Sequence, residues 1–168
     1  QASAVSTVVK RVKSPALADN ITSARKNASA IKSLAASKGL KPQFLAVAAI
    51  TKLGDGRGDV LQAAQGIVEV YDKLAIPVGN DNSDDVLLMV AAYDQGVAGE
   101  FLKLRDLMVQ LAKKDEKTAA REVRSIWYLK RTGNLAPADY DRALSFLAIG
   151  TIAQNPKEFG VNAEALRL

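Results

Sequence analysis

The chain contains no cysteine and no histidine. The first absence excludes a disulfide framework, thiolate metal sites and a cysteine nucleophile. The second excludes Ser-His-Asp triads, imidazole-ligated metals and histidine acid–base chemistry. Any catalysis must come from carboxylates, lysine, tyrosine or hydroxyl groups. Aromatic residues make up only 5% of the chain, which leaves little surface for stacking unpaired bases. No apolar run approaches the roughly 18 residues of a membrane span, so no transmembrane segment is expected.

What is present is ordinary for a globular protein: 48% hydrophobic and 24% charged residues. At roughly 100–200 residues per domain, the 168 residues predict a single globular unit. The net charge of +5 is unevenly spread. Residues 1–50 carry eight Lys/Arg and one acid, Asp19, whereas residues 51–100 carry three Lys/Arg and nine acids. A basic flank beside an acidic middle suggests an anionic partner at one surface, although solvated helix faces account for the same charges. Arg25, Lys26, Lys32 and Lys38 spread around their helix rather than forming a stripe, and no nucleic-acid motif appears, so no nucleic-acid partner is expected. The chain opens Gln1-Ala2-Ser3-Ala4 without Met, which fits either a trimmed chain or a mature form whose export signal has been removed, and the absence of cysteine is compatible with either compartment.

Helical periodicity dominates, and no stretch reads as a strand. A short helix is predicted over residues 2–12. Ser14-Pro15 starts a second, with Leu17, Ile21, Ala24, Ala28, Ile31 and Leu34 at three- and four-residue steps and Gly39 as its stop. Pro42 opens a third, whose run Phe44-Leu45-Ala46-Val47-Ala48-Ala49-Ile50 has no polar face and must be buried all round. Asp59 is the expected N-cap of a helix over 60–74, with Leu61, Ala64, Ile67, Val68 and Tyr71 inward. Residues 77–82 read as a loop, with Ser83 capping an apolar helix over 86–93 that 95–99 interrupts. Further helices are predicted over 100–113, 116–131 and 137–154, with a terminal turn over 155–160. The sum is an all-α bundle of six to eight helices.

Several motifs invite a chemical reading. Gly54-Asp55-Gly56-Arg57-Gly58-Asp59 lacks the Gly-Lys-Ser/Thr ending of a phosphate loop and the closing Glu of an EF-hand, so a flexible turn plus a cap explains it. Asn80-Asp81-Asn82-Ser83-Asp84-Asp85 offers oxygens to a hard cation, but a turn and a helix cap use the same residues. Neither a metal nor a cofactor is expected. Trp127-Tyr128, with Arg124, Lys130 and Arg131 nearby, suits a sugar-stacking surface, or else a core Trp with a rim Tyr.

The order of three segments resembles a family. Gly39-Leu40-Lys41-Pro42-Gln43 leading into the apolar helix resembles the Gly-Leu-Pro-Pro opening of lytic transglycosylases with the goose-type lysozyme fold. Ala91-Ala92-Tyr93-Asp94-Gln95-Gly96 looks like that family's Ala-Ala-Tyr-Asn-Ala-Gly motif, preceded by its usual helix. Leu135-Ala136-Pro137, Phe146-Leu147-Ala148 and Asn155-Pro156-Lys157-Glu158-Phe159-Gly160 resemble its closing helix and Asn-Pro-Glu-Tyr-Gly ending, with membrane-bound type D murein transglycosylases nearest in flavour. The resemblance spans about four-fifths of the chain, residues 27–160. It implies a compact lysozyme-like domain over 27–168, with residues 1–26 as a helical extension.

The departures bear directly on function. The family's apolar helix ends Ile-Glu-Ser, and that Glu is its acid/base. Here the corresponding residues are Ile50-Thr51-Lys52. An alcohol cannot protonate a glycosidic oxygen at neutral pH; that step needs a carboxyl of raised pKa in an apolar site. The family's Gly-Leu-Met/Trp-Gln cleft wall is also missing. Among other acids, Asp55 and Asp59 sit on a Gly-rich loop, Glu69 faces outward, and Asp94 is the best replacement. The resemblance thus implies a catalytically inactive relative that binds peptidoglycan glycan strands or scaffolds an envelope assembly with a protein partner. Thr51, Tyr93, Asp94, Trp127 and Tyr128 are its expected ligand-binding residues. An active enzyme using a relocated carboxylate and a pure protein-interaction module are the alternatives.

Overall fold

The computed structural model describes residues 1–115 and 117–168. Among them are eleven α-helices, a short 3-10 turn and no strand, with 73% of the chain helical. The all-α class expected from the periodicity is therefore observed. None of the described helices is long and apolar enough to cross a membrane. The chain clusters into two compact units, Gln1–Glu69 with Leu144–Leu168, and Val70–Ala143. The expected junction at residue 26 lies inside the first.

The first unit begins with α1 (Ala2–Val12), α2 (Pro15–Lys26), α3 (Ala28–Ser37) and α4 (Pro42–Leu53). It also takes the start of α5 (Val60–Val78) and most of α11 (Pro137–Gln154). The α4 residues 44–50 are all buried, as their lack of a polar face requires. Helices α2 and α3 pack against α4. Phe44 and Phe146 meet with ring centroids 5.6 Å apart, fastening α4 to α11. The chain's last residues have no regular structure but are held by specific bonds. The Gln43 amide donates to Leu166 O at 3.0 Å and accepts from Leu168 N at 3.2 Å, while Leu166 N donates to Ala153 O at 2.8 Å.

The predicted helix from Pro15 to Gly39 is two helices. Asn27 leaves the helical region at ψ 20°, and its side-chain amide donates to Ser23 O at 2.9 Å. A short amide side chain can satisfy backbone acceptors locally, and so compete with the helix. As a result Ala28 and Leu34 are only half-buried, while Ala16, Asn20 and Ala35 are buried with Leu17, Ile21, Ala24 and Ile31. In α5 Ala64, Ile67, Val68 and Tyr71 are buried as expected, but Leu61 is half-buried.

The second unit contains the rest of α5, then α6 (Ser83–Ala91), α7 (Tyr93–Val97), α8 (Lys103–Lys114), α9 (Ala120–Val123), α10 (Ile126–Arg131) and the first turns of α11. Pro77 does not open a loop; it lies inside the last turn of α5, where it forgoes one i→i−4 hydrogen bond and the helix ends one residue later. The cap of α6 is Asn82, one residue before the expected Ser83: its side chain accepts from Asp85 N at 2.9 Å. The break before α7 falls at Ala92 (ψ 0°), ahead of the glycines expected to cause it. Gly96 instead permits close approach, because a Cβ there would lie 2.7 Å from Val70 Cγ1. The predicted helix over 116–131 is α9 and α10, divided at extended Ser125, whose hydroxyl accepts from Tyr128 N at 3.1 Å. Its expected start, Glu116, lies outside the described residues. These breaks raise the helix count above the six to eight expected.

Candidate functional site

Thr51 lies in the last turn of α4, in the first unit. The apolar face of α4 ends one residue earlier, at fully buried Ile50. The half-buried Thr51 hydroxyl donates to Val47 O at 2.8 Å. A Thr hydroxyl folded back onto its own helix in this way has spent its only proton on the backbone.

The loop after α4 is firmly anchored. Asn20, with no solvent exposure, donates to Gly56 O at 3.0 Å and accepts from Gly58 N at 3.2 Å. Ser23 Oγ accepts from Val60 N at 3.1 Å, and Arg57 pairs with Asp19. Asp59 caps α5 as expected, accepting from Leu61 N at 2.9 Å and Gln62 N at 3.2 Å. The loop is therefore not the flexible turn its glycines suggest. Asn20 had no sequence signal beyond a polar residue at an inward helical position between Leu17 and Ile21. Asp55 and Asp59 are exposed, and Glu69, 62% exposed, pairs with Lys38 at 2.9 Å. None is enclosed in an apolar site.

In the second unit, Tyr93 and Asp94 open α7 and meet at Arg142 of α11. The Arg142 Nη1 donates to Val90 O at 3.2 Å, to Ala91 O at 3.5 Å and to Asp139 Oδ1 at 3.2 Å, while its Nη2 donates to Asp94. The guanidinium lies 5.9 Å from the Tyr93 ring centroid, and the Tyr93 ring stands 5.2 Å from that of Tyr71. Burial pushes the Tyr71 phenol far above its ordinary range; Arg142 opposes that rise. The Tyr93 phenol is also raised, by burial and then by the Asp94 charge. Both phenols keep their protons at neutral pH. The Asp94 side chain is 63% exposed and faces a guanidinium, a setting opposite to that of a general acid. The sequence reading missed Arg142, whose role depends on carbonyls about fifty residues away.

Trp127 and Tyr128 begin α10. Trp127 packs edge-to-face on Tyr140, with centroids 6.2 Å apart, and Lys130 Nζ lies 5.2 Å from the Tyr140 ring. Tyr128 carries Arg131 at 5.5 Å from its ring. Trp127, Tyr128 and Tyr140 are all half-buried. Each is therefore partly open to solvent.

In the acidic turn before α6, Asn82 and Asp85 are committed to the fold. Asp85, 7% exposed, accepts from Arg124 at 3.0 Å, and Arg124 also donates to Val78 O. Gly79 adopts φ +99°, and a Cβ there would sit 2.8 Å from Asp85 Oδ2. Asn82 Oδ1 is spent as a cap and the Asp85 carboxylate on Arg124, so two of the six residues of this turn serve the protein itself. Among the described residues no group of three or more acidic side chains is gathered for a metal.

Of the five expected ligand-binding residues, Tyr93 and Asp94 share one cluster and Trp127 and Tyr128 begin one helix. Thr51 belongs to the other unit. No protein-family model, curated protein or solved structure matches this chain.

Proposed function

We propose that the chain is a lysozyme-like helical domain of lytic-transglycosylase type that has lost glycan cleavage and binds peptidoglycan glycan strands in the periplasm or cell envelope. The observation that carries this reading is Thr51. Just after the buried apolar run 44–50, at the position that the resemblance matches to the family's catalytic Glu, stands a hydroxyl bonded to Val47 O. Glycosidic scission through a single acid needs a carboxyl there, with a proton to give. Binding needs only shape and hydrogen bonds, which Tyr93, Asp94, Trp127 and Tyr128 supply.

The test is retention on purified cell-wall sacculi, run beside an assay for released muropeptides. Retention without release is expected, and Trp127→Ala should weaken retention about tenfold, the loss of one stacking contact. Release of anhydro-muropeptides by the native chain, abolished by Asp94→Asn, would instead establish the enzyme with a relocated carboxylate.

One observation favours a second reading, a protein-interaction module within an envelope assembly. Ile76, Val97, Leu102 and Val109 are 92%, 62%, 47% and 47% exposed, and all four lie in the second unit. Scattered exposed apolar residues are normal, but their confinement to one unit suits a contact surface. Absence of retention on sacculi, with a stable complex recovered from envelope extracts, would select this reading.

A further inference from the structure

We propose that Arg142 is a preformed receptor for a small oxyanion, a carboxylate or a phosphate, and that Asp94 is an internal anion occupying it until a ligand arrives. The inference does not depend on whether the chain binds glycan. It rests on the two unlike sides of one guanidinium. The inward nitrogen, Nη1, is fixed by Val90 O, Ala91 O and Asp139 Oδ1. These partners orient the planar fork in advance, which removes much of the ordering cost of binding an anion. The outward nitrogen, Nη2, holds Asp94.

The burial of the partners is equally unlike. The side chains of Arg142 and Asp139 are 20% and 12% exposed, whereas that of Asp94 is 63% exposed. Releasing Asp94 returns a largely hydrated carboxylate to water, at little cost. Releasing Asp139 would strand a buried charge. With two acids on one guanidinium the cluster carries an extra negative charge. An incoming anion that displaces Asp94 leaves the same count of acids on Arg142 and moves the Asp94 charge into solvent, where water screens it. The Tyr93 ring beneath the guanidinium supplies an apolar floor, and its protonated hydroxyl adds no negative charge. Asp94 sits on a five-residue helix, a small element to move.

The experiment titrates the intact chain with acetate and, separately, with inorganic phosphate, at ionic strength held constant with sodium chloride. Side-chain NMR signals of arginine and the Tyr93 ring report binding. Asp94→Asn should bind the better of the two anions about fivefold more tightly than the native chain, the factor expected from removing a weakly held internal competitor. The changes should centre on Arg142 and Tyr93. Asp94→Asn combined with Arg142→Lys keeps the charge and loses the fork, so it should bind at least tenfold more weakly than Asp94→Asn alone. The anion that binds more tightly identifies the ligand class. The proposal is overturned if Asp94→Asn binds neither anion more tightly than the native chain. It is also overturned if the shifts arise at other basic side chains and leave Arg142 unmoved.

Discussion

The two units solve the problem of burying a chain in different ways. The first is organised around α4, seven consecutive apolar residues with no exposed face, and its one buried polar side chain is the neutral Asn20. The second encloses Asp85 and Asp139, each answered by an arginine, and it exposes all four large apolar side chains noted above. Charge divides in the same way. The first unit carries twelve Lys/Arg and six Asp/Glu, the second eleven and twelve. An apolar core contributes stability without much geometric demand, whereas a buried ion pair demands geometry and contributes little net stability. Side chains held by such pairs are fixed in orientation, so the second unit depends on charge and geometry where the first depends on apolar burial.

That contrast breaks first at α4. Leu45 has no exposure, and Leu45→Ala should cost about 3 kcal/mol, the sum of lost transfer energy and a cavity. Urea unfolding measures it, and the loss should not change between pH 5 and 8. A loss below about 1 kcal/mol would mean that the core of the first unit relaxes around the gap.

The corresponding lesion in the second unit is Arg124→Met, which takes from the Asp85 carboxylate its cationic partner, leaving it the Asp81 N–H, and from Val78 O the Arg124 donor. We expect a loss of about 2 kcal/mol at pH 7. Adding Asp85→Asn should recover part of it, because the stranded charge is what costs. A double-mutant cycle reads the coupling directly. Additive losses would show that the pair is a surface decoration and would erase the contrast between the units.

A smaller effect tests the polar exception in the first unit. Asn20→Ala removes two hydrogen bonds to the loop after α4 and leaves Gly58 N and Gly56 O unpaired. About 1–2 kcal/mol is expected, with faster amide exchange at residues 54–59. Unchanged exchange there would show that Asp59 and Ser23 hold the loop unaided.

How much of this was legible beforehand follows from the range of each interaction. The bounds of α1, α4 and α11 agree with their periodicity and with Pro42 and Pro137. The breaks at Asn27 and Ser125 do not stand out, because an asparagine or serine inside a helical pattern either faces solvent or caps a new turn, and only its surroundings decide. The Asp59 cap was readable because its partners are two and three residues on. Arg142 was not, because its acceptors at residues 90, 91 and 94 become neighbours only through tertiary packing. Tyr93 and Asp94 were expected from the resemblance, and Trp127 and Tyr128 from an aromatic pair among cations. Nothing in the sequence could show that Trp127 packs on Tyr140.

The smallest effect concerns the exposed ion pairs, where the units should not differ. In the first unit Lys157 Nζ donates to Glu164 at 2.9 Å, beside a shallow cavity of about 170 Å³ that both residues line. The hydrogen bond and charge of Lys157 hold the Glu164 carboxyl below its ordinary range. The depression belongs to the folded state alone, so the stabilisation is complete above the pKa of the unfolded carboxyl. It is lost as pH falls through the lower, folded value. Lys157→Met should return the Glu164 pKa toward that of a free glutamate, read by carboxyl NMR titration, and should abolish this part of the acid-side loss. Because both side chains are about two-thirds exposed, stability at pH 7 should scarcely move. A large loss at pH 7 would show that the pair closes the cavity rather than decorating its rim, and would place in the first unit the kind of charge-dependent packing that otherwise marks the second.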